Sequence, residues 1–113
     1  MDRRIFHLKE HLPNNLQHQW TVKEMAEIVG LSIPYFQKLF KENIGIPPIE
    51  YLRDLRLEKA RELLGTTFLQ IQEIRSKVGI QNDSHFTRDF KKKYGVTPTE
   101  YRKLYSERIQ AGE

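Results

Sequence analysis

The 113 residues include 19 Lys and Arg against 15 Asp and Glu, a formal net charge of +4, with 38% hydrophobic and 30% charged residues. This length suits one compact domain or two small lobes sharing an element, and the lack of cysteine excludes a disulfide framework or a thiolate metal site. No apolar run approaches the roughly 18–20 residues of a membrane span, and residues 1–20 hold no signal-peptide core, so a cytoplasmic protein without a membrane partner is expected.

Ile5, Leu8 and Leu12 share a helical face, and Pro13-Asn14-Asn15 ends that first helix. Thr21 with Glu24 reads as a capping box opening a second helix, whose inner face is Val22, Met25, Ala26 and Val29. Gly30 ends it in a tight turn, and Ser32 caps a third helix with Phe36, Leu39 and Phe40 inward, up to Gly45. Residues 47–64 form a long connecting helix with Pro48 in its first turn. Its apolar positions are Ile49, Leu52, Leu55, Ala60, Leu63 and Leu64, and Gly65-Thr66-Thr67 follows as a short loop. A fifth helix buries Ile71, Ile74 and Val78 and turns at Gly79. A sixth is capped by Asn82 or Asp83 and buries Phe86, Phe90 and Tyr94. Thr97 caps the last helix, opened by Pro98, with Tyr101 and Leu104 inward. The expected architecture is all-α: seven helices in two helix-turn-helix lobes, about 3–46 and 68–106, joined by the connecting helix.

The chain repeats itself. At an offset of 49, Glu24, Val29 and Gly30 match Glu73, Val78 and Gly79. At an offset of 50, Phe36, Phe40, Lys41, Gly45, Pro48, Glu50 and Tyr51 match Phe86, Phe90, Lys91, Gly95, Pro98, Glu100 and Tyr101. The change of offset marks one residue inserted in the second turn. Two copies are too few for a solenoid and describe a duplicated module. Helix, short glycine-containing turn and helix is the unit that reads DNA in many proteins, and its recurrence at one spacing strengthens the signal.

The repeated GxxxxxFxxxFKxxxGxxPxEY from Gly30 and GxxxxxxFxxxFKxxxGxxPxEYR from Gly79, bridged by RLEKARELL, resembles the AraC/XylS-type bacterial transcription regulators. The resemblance covers residues 5–105. It implies that the third and sixth helices enter successive major grooves of double-stranded DNA, with RNA polymerase as a further partner. Full-length members usually carry an N-terminal sensor or dimerisation domain. Residues 1–113 contain none, so the chain is either a stand-alone regulator or part of a longer one. Two positions depart from the pattern: Arg75 stands where the first copy has Ala26, and Asp89 where it has Leu39. Arg75 is expected either to loosen the second lobe or to pair with an acid.

With the phenylalanines inward, the outward stripe of the third helix is Ile33, Pro34, Gln37, Lys38 and Lys41, entered at Ser32. Gln37 suits adenine, Lys38 guanine or phosphate, and Ile33 and Pro34 a thymine methyl. The matching stripe of the sixth helix is Asp83, Ser84, Thr87, Arg88 and Lys91. The planar fork of Arg88 matches guanine O6 and N7. Asp83 either caps the helix or accepts from cytosine, and Ser84 and Thr87 serve base or phosphate. His85 either packs beside the turn or reaches phosphate. Consecutive lysines diverge around a helix, so Lys91 continues the stripe while Lys92 or Lys93 touches backbone. Arg102 and Lys103 are either phosphate contacts or surface charge. An asymmetric site of about 15–20 bp bound by a monomer is expected, because the two stripes differ.

Two other readings have sequence support. His7-Leu8-Lys9-Glu10-His11 matches the H-x-x-E-H of inverted zinc peptidases, but that chemistry needs a further carboxylate ligand and a substrate cleft. Leu8 belongs to the apolar face, which makes its histidine neighbours simple boundary residues; no metal, no cofactor and no catalytic group is expected. The serious alternative is a helical adaptor that docks an acidic protein.

Overall fold

A computed structural model describes the backbone of residues 1–112 and the side chains of residues 1–105. The described residues form seven α-helices and no strand. They are α1 (Arg3–His11), α2 (Val22–Val29), α3 (Ile33–Ile44), α4 (Pro48–Thr66), α5 (Ile71–Lys77), α6 (Asp83–Tyr94) and α7 (Pro98–Gly112). The chain divides into two compact units, Met1–Leu55 and Arg56 onward, with the boundary inside α4.

Local chemistry accounts for most of the helix ends. Asp2 caps α1 by accepting from the amides of Arg4 and Ile5. Thr21 and Glu24 form the expected capping box, in which Thr21 Oγ1 accepts from the Glu24 amide at 3.1 Å and Glu24 Oε1 accepts from the Thr21 amide at 3.2 Å. His18 Nε2 lies 2.6 Å from the same carboxylate and, with Thr21, holds Glu24 below the usual carboxylate range. Thr97 and Glu100 repeat the box at α7, and the Thr97 amide holds Glu100 down in the same way. Gly45 and Gly95 end α3 and α6 in the left-handed region, at φ 100° and 84°, where a side chain would be strained.

The first core gathers Ile5, Leu8, Leu12, Leu16, Met25, Ala26, Val29, Phe36, Phe40 and Leu52. The second gathers Leu57, Ala60, Leu64, Ile74, Val78, Phe86 and Phe90. Their aromatic centres are near copies. Phe36 and Phe40 have ring centroids 5.7 Å apart, Phe86 and Phe90 5.8 Å. Phe40 meets Tyr51 at 5.5 Å, and Phe90 meets Tyr101 at 5.9 Å.

The duplication reaches further than the helix-turn-helix. Ile5 and Leu8 of α1 with Leu12 just after it, and Leu57, Ala60 and Leu64 of α4, share the same spacing at an offset of 52, and all six are buried. The start of α4, Pro48-x-Glu50-Tyr51, matches the start of α7, Pro98-x-Glu100-Tyr101. The long helix is therefore the closing helix of one copy continued into the opening helix of the next, which is why the unit boundary falls within it.

Four expectations need correction. α4 runs through Gly65 to Thr66, with the Thr66 hydroxyl donating to the Glu62 carbonyl at 2.8 Å, so no loop begins at Gly65. Ile49 and Leu104 are 39% and 51% exposed, because Tyr51, Leu52 and Tyr101 take the inward positions of those helices. Leu57, omitted from the expected apolar positions, is buried. Asn82 caps α6, accepting from the His85 amide at 2.9 Å, and Asp83 does not. Among the described residues no helix is long and apolar enough to cross a membrane.

Candidate nucleic-acid interface

In α3, Phe36 and Phe40 lie four residues apart and turn one face into the core. Ser32 Oγ accepts from the Tyr35 amide at 3.4 Å, fixing where the helix starts. The face turned away from the phenylalanines carries Pro34, Gln37, Lys38 and Lys41, all exposed, and Ile33 and Ser32 are exposed at the helix start. Pro34 sits in the first turn, where it breaks no intrahelical bond. Sequence reasoning missed Tyr35, which is 48% exposed beside this stripe. It interacts with Arg4 of α1, whose guanidinium is held above the usual arginine range chiefly by Asp2 and to a lesser degree by Tyr35. The readable signal was an aromatic one residue before the inward Phe36; the contact with Arg4 needs the fold.

In α6, Phe86 and Phe90 make the same inward pair; the outward face carries Ser84, His85, Arg88, Lys91 and Lys92, all exposed, and Asp83 is exposed at the helix start. Thr87 is half-buried, at the stripe's edge. Arg88 is 65% exposed and donates through Nε to Asp89 Oδ1 at 3.2 Å. Asp89, at the position of Leu39, thus holds the Nε of the arginine. Lys93 leans over the Tyr94 ring, 5.8 Å from its centroid, which separates it from Lys91. Lys91 also faces the field of Glu100 on α7.

Arg102 points elsewhere. Its guanidinium donates to the carbonyls of Leu64, Thr67 and Leu69, satisfying the backbone where α4 ends and the chain turns toward α5. It is a structural clamp, whereas Lys103 is exposed. His7, Glu10 and His11 are also exposed, and His11 packs edge-on against Trp20 at 5.7 Å. Among the described residues no three His, Asp or Glu side chains gather as a metal site.

The molecule thus presents two twelve-residue helices, each entered through a capped turn and each showing a polar stripe opposite a phenylalanine pair. A family model described as "Helix-turn-helix domain" matches residues 25–104. The chain belongs to the AraC/XylS type of helix-turn-helix regulators. Among its relatives, the HTH-type transcriptional regulator MtrA of Neisseria gonorrhoeae is 30% identical over 102 residues, covering 90% of this chain and 34% of that protein. Among solved structures, the C-terminal domain of AraT, a response regulator from Geobacillus stearothermophilus, superposes with a TM-score of 0.85 at 32% identity, covering 91% and 86% of the two chains. The DNA-binding domain of AdpA, solved in complex with a target DNA, gives a TM-score of 0.92, covering 98% and 100%. At 22% identity that likeness is one of fold. The chain spans about a third of the length of the curated relatives it matches.

Proposed function

We propose that this chain reads duplex DNA as a monomer, placing α3 in one major-groove segment and α6 in the next, on an asymmetric site of about 15–20 bp. The observation that carries the reading is one scaffold built twice with two unlike outward stripes, Ile33-Pro34-Gln37-Lys38-Lys41 and Asp83-Ser84-Thr87-Arg88-Lys91. Gln37 and Arg88 supply planar two-point contacts to adenine and guanine, and Lys38, Lys41, Lys91 and Lys92 hold phosphate. Ser32 and His85 sit at the helix starts, where backbone amides also meet phosphate. The activity is binding without chemistry, carried out in a bacterial cytoplasm alongside RNA polymerase. The greater length of the relatives supports a sensor or dimerisation domain acting with it.

Selection from random duplex DNA, followed by titration against scrambled competitor, tests this directly. One enriched, non-palindromic motif bound at least about a thousandfold more tightly than scrambled DNA is expected. No enriched motif, with equal affinity for both DNAs, would favour the adaptor that docks an acidic protein.

A further inference from the structure

The turns of the two lobes follow the same backbone path and then part at one residue. In the first lobe the Gly30 amide donates to Glu27 at 3.1 Å and the Leu31 amide to Ala26 at 3.0 Å. In the second the Gly79 amide donates to Ser76 at 3.1 Å and the Ile80 amide to Arg75 at 3.0 Å, an offset of 49 throughout. The helix caps Ser32 and Asn82, each accepting from the amide three residues on, stand at an offset of 50. The inserted residue is therefore Gln81, and with it the second turn gains one carbonyl that the first turn does not have.

Arg75 meets that carbonyl. Its Nη1 donates to both the Gln81 and Ile80 carbonyls, while its Nε lies 3.7 Å from Asp83 Oδ1, the first residue of α6. The side chain is 21% exposed and the Nε atom is buried without a hydrogen bond, so the nearby carboxylate is its electrostatic counterpart. The matching residue of the first lobe, Ala26, is buried and reaches no carbonyl with its methyl group. An arginine thus stands at a core position in the lobe whose turn is one residue longer, with its guanidinium spent on the extra residue and on the start of the recognition helix.

We infer that Arg75 is a positioning residue for DNA reading: it locks the longer turn at Gln81 and neutralises Asp83, so that α6 presents Thr87 and Arg88 to the bases in a fixed register. The inference rests on the proposed role of α6. Loss of the guanidinium frees the turn and removes the tie between it and the first residue of α6. The outcome is weaker discrimination between bases, because a recognition helix reads only when its side chains are held in register.

The test compares the unmodified chain with Arg75→Met, which keeps the apolar stem, with Arg75→Ala, and with Arg75→Ala combined with deletion of Gln81, which rebuilds the first lobe's turn. Thermal unfolding and affinities for the selected duplex and for scrambled DNA are measured together. Arg75→Met is expected to remain folded and to lose about tenfold or more of its preference for the selected duplex, comparable to one mismatched base pair. Its affinity for scrambled DNA stays within about twofold, since Arg75 contacts no phosphate. The combined variant is expected to recover most of the preference that Arg75→Ala alone loses. Preference unchanged in Arg75→Met, equal losses on both DNAs, or no recovery on deleting Gln81 would each overturn the inference. If the unmodified chain shows no preference at all, it is the DNA-reading proposal that fails.

Discussion

The two lobes solve one folding problem with the same parts and differ where they face outward. Each closes a phenylalanine pair against the tyrosine six residues beyond its left-handed glycine, with nearly the same ring separations. Each is opened by a helix with buried residues spaced three and then four. The first lobe has a shorter turn, a buried alanine beneath it and an outward stripe that includes an exposed isoleucine, a proline and a tyrosine. The second has a longer turn held by Arg75, and its stripe carries Arg88, Lys91 and Lys92, with Asp83 and Asp89 beside them. The contrast teaches that packing constrains the inward residues of both copies alike, except beneath the longer turn where Arg75 stands for Ala26, whereas the outward residues are free to diverge.

The most severe way to strain the comparison is to empty the matched cores. Phe40→Ala and Phe90→Ala should each destabilise the chain by about 3–5 kcal/mol, because both rings are fully buried. Chemical denaturation should show similar losses for the two. A loss below about 1 kcal/mol at either position would mean that the cores are not equivalent. Arg88→Ala should cost about 1–3 kcal/mol of binding to the selected duplex and relax the preference at one base pair. Gln37→Ala should do the same at a different base pair, in the other half of the site; relaxation at the same position would break the assignment of one half-element to each lobe. The smallest effect is expected from Lys41→Ala, which should weaken selected and scrambled DNA alike and reduce the salt dependence by about one counterion.

Much of this fold was legible because the signals are local. Capping pairs such as Thr21 with Glu24 and Thr97 with Glu100, glycines at helix ends, and phenylalanines four residues apart each report on a few neighbouring residues. What escaped depended on contacts distant in sequence. Ile49 and Leu104 look apolar on a helical wheel, and only the packing of Leu52, Tyr51 and Tyr101 shows that they face outward. The matching of α1 with the second half of α4 was hidden because its identities are few and its offset, 52, differs from that of the later helices. Arg102 resembled a surface cation until its guanidinium was found on three carbonyls 33–38 residues away in sequence. Within the candidate interface, exposure of the outward stripes followed from the inward phenylalanines. The pairing of Arg88 with Asp89 and of Arg75 with Gln81 and Asp83 did not, because rotamers decide which acceptors a guanidinium reaches.

The central claim is that one scaffold, used twice, reads two different half-elements in a fixed order. It is tested most directly by titrating the chain against its selected duplex and against a duplex of the same composition in which the two halves of the site have been exchanged. Specific binding is predicted to fall to the level of scrambled DNA for the exchanged duplex, a loss of about a thousandfold or more. Equal affinity for both arrangements would contradict the account.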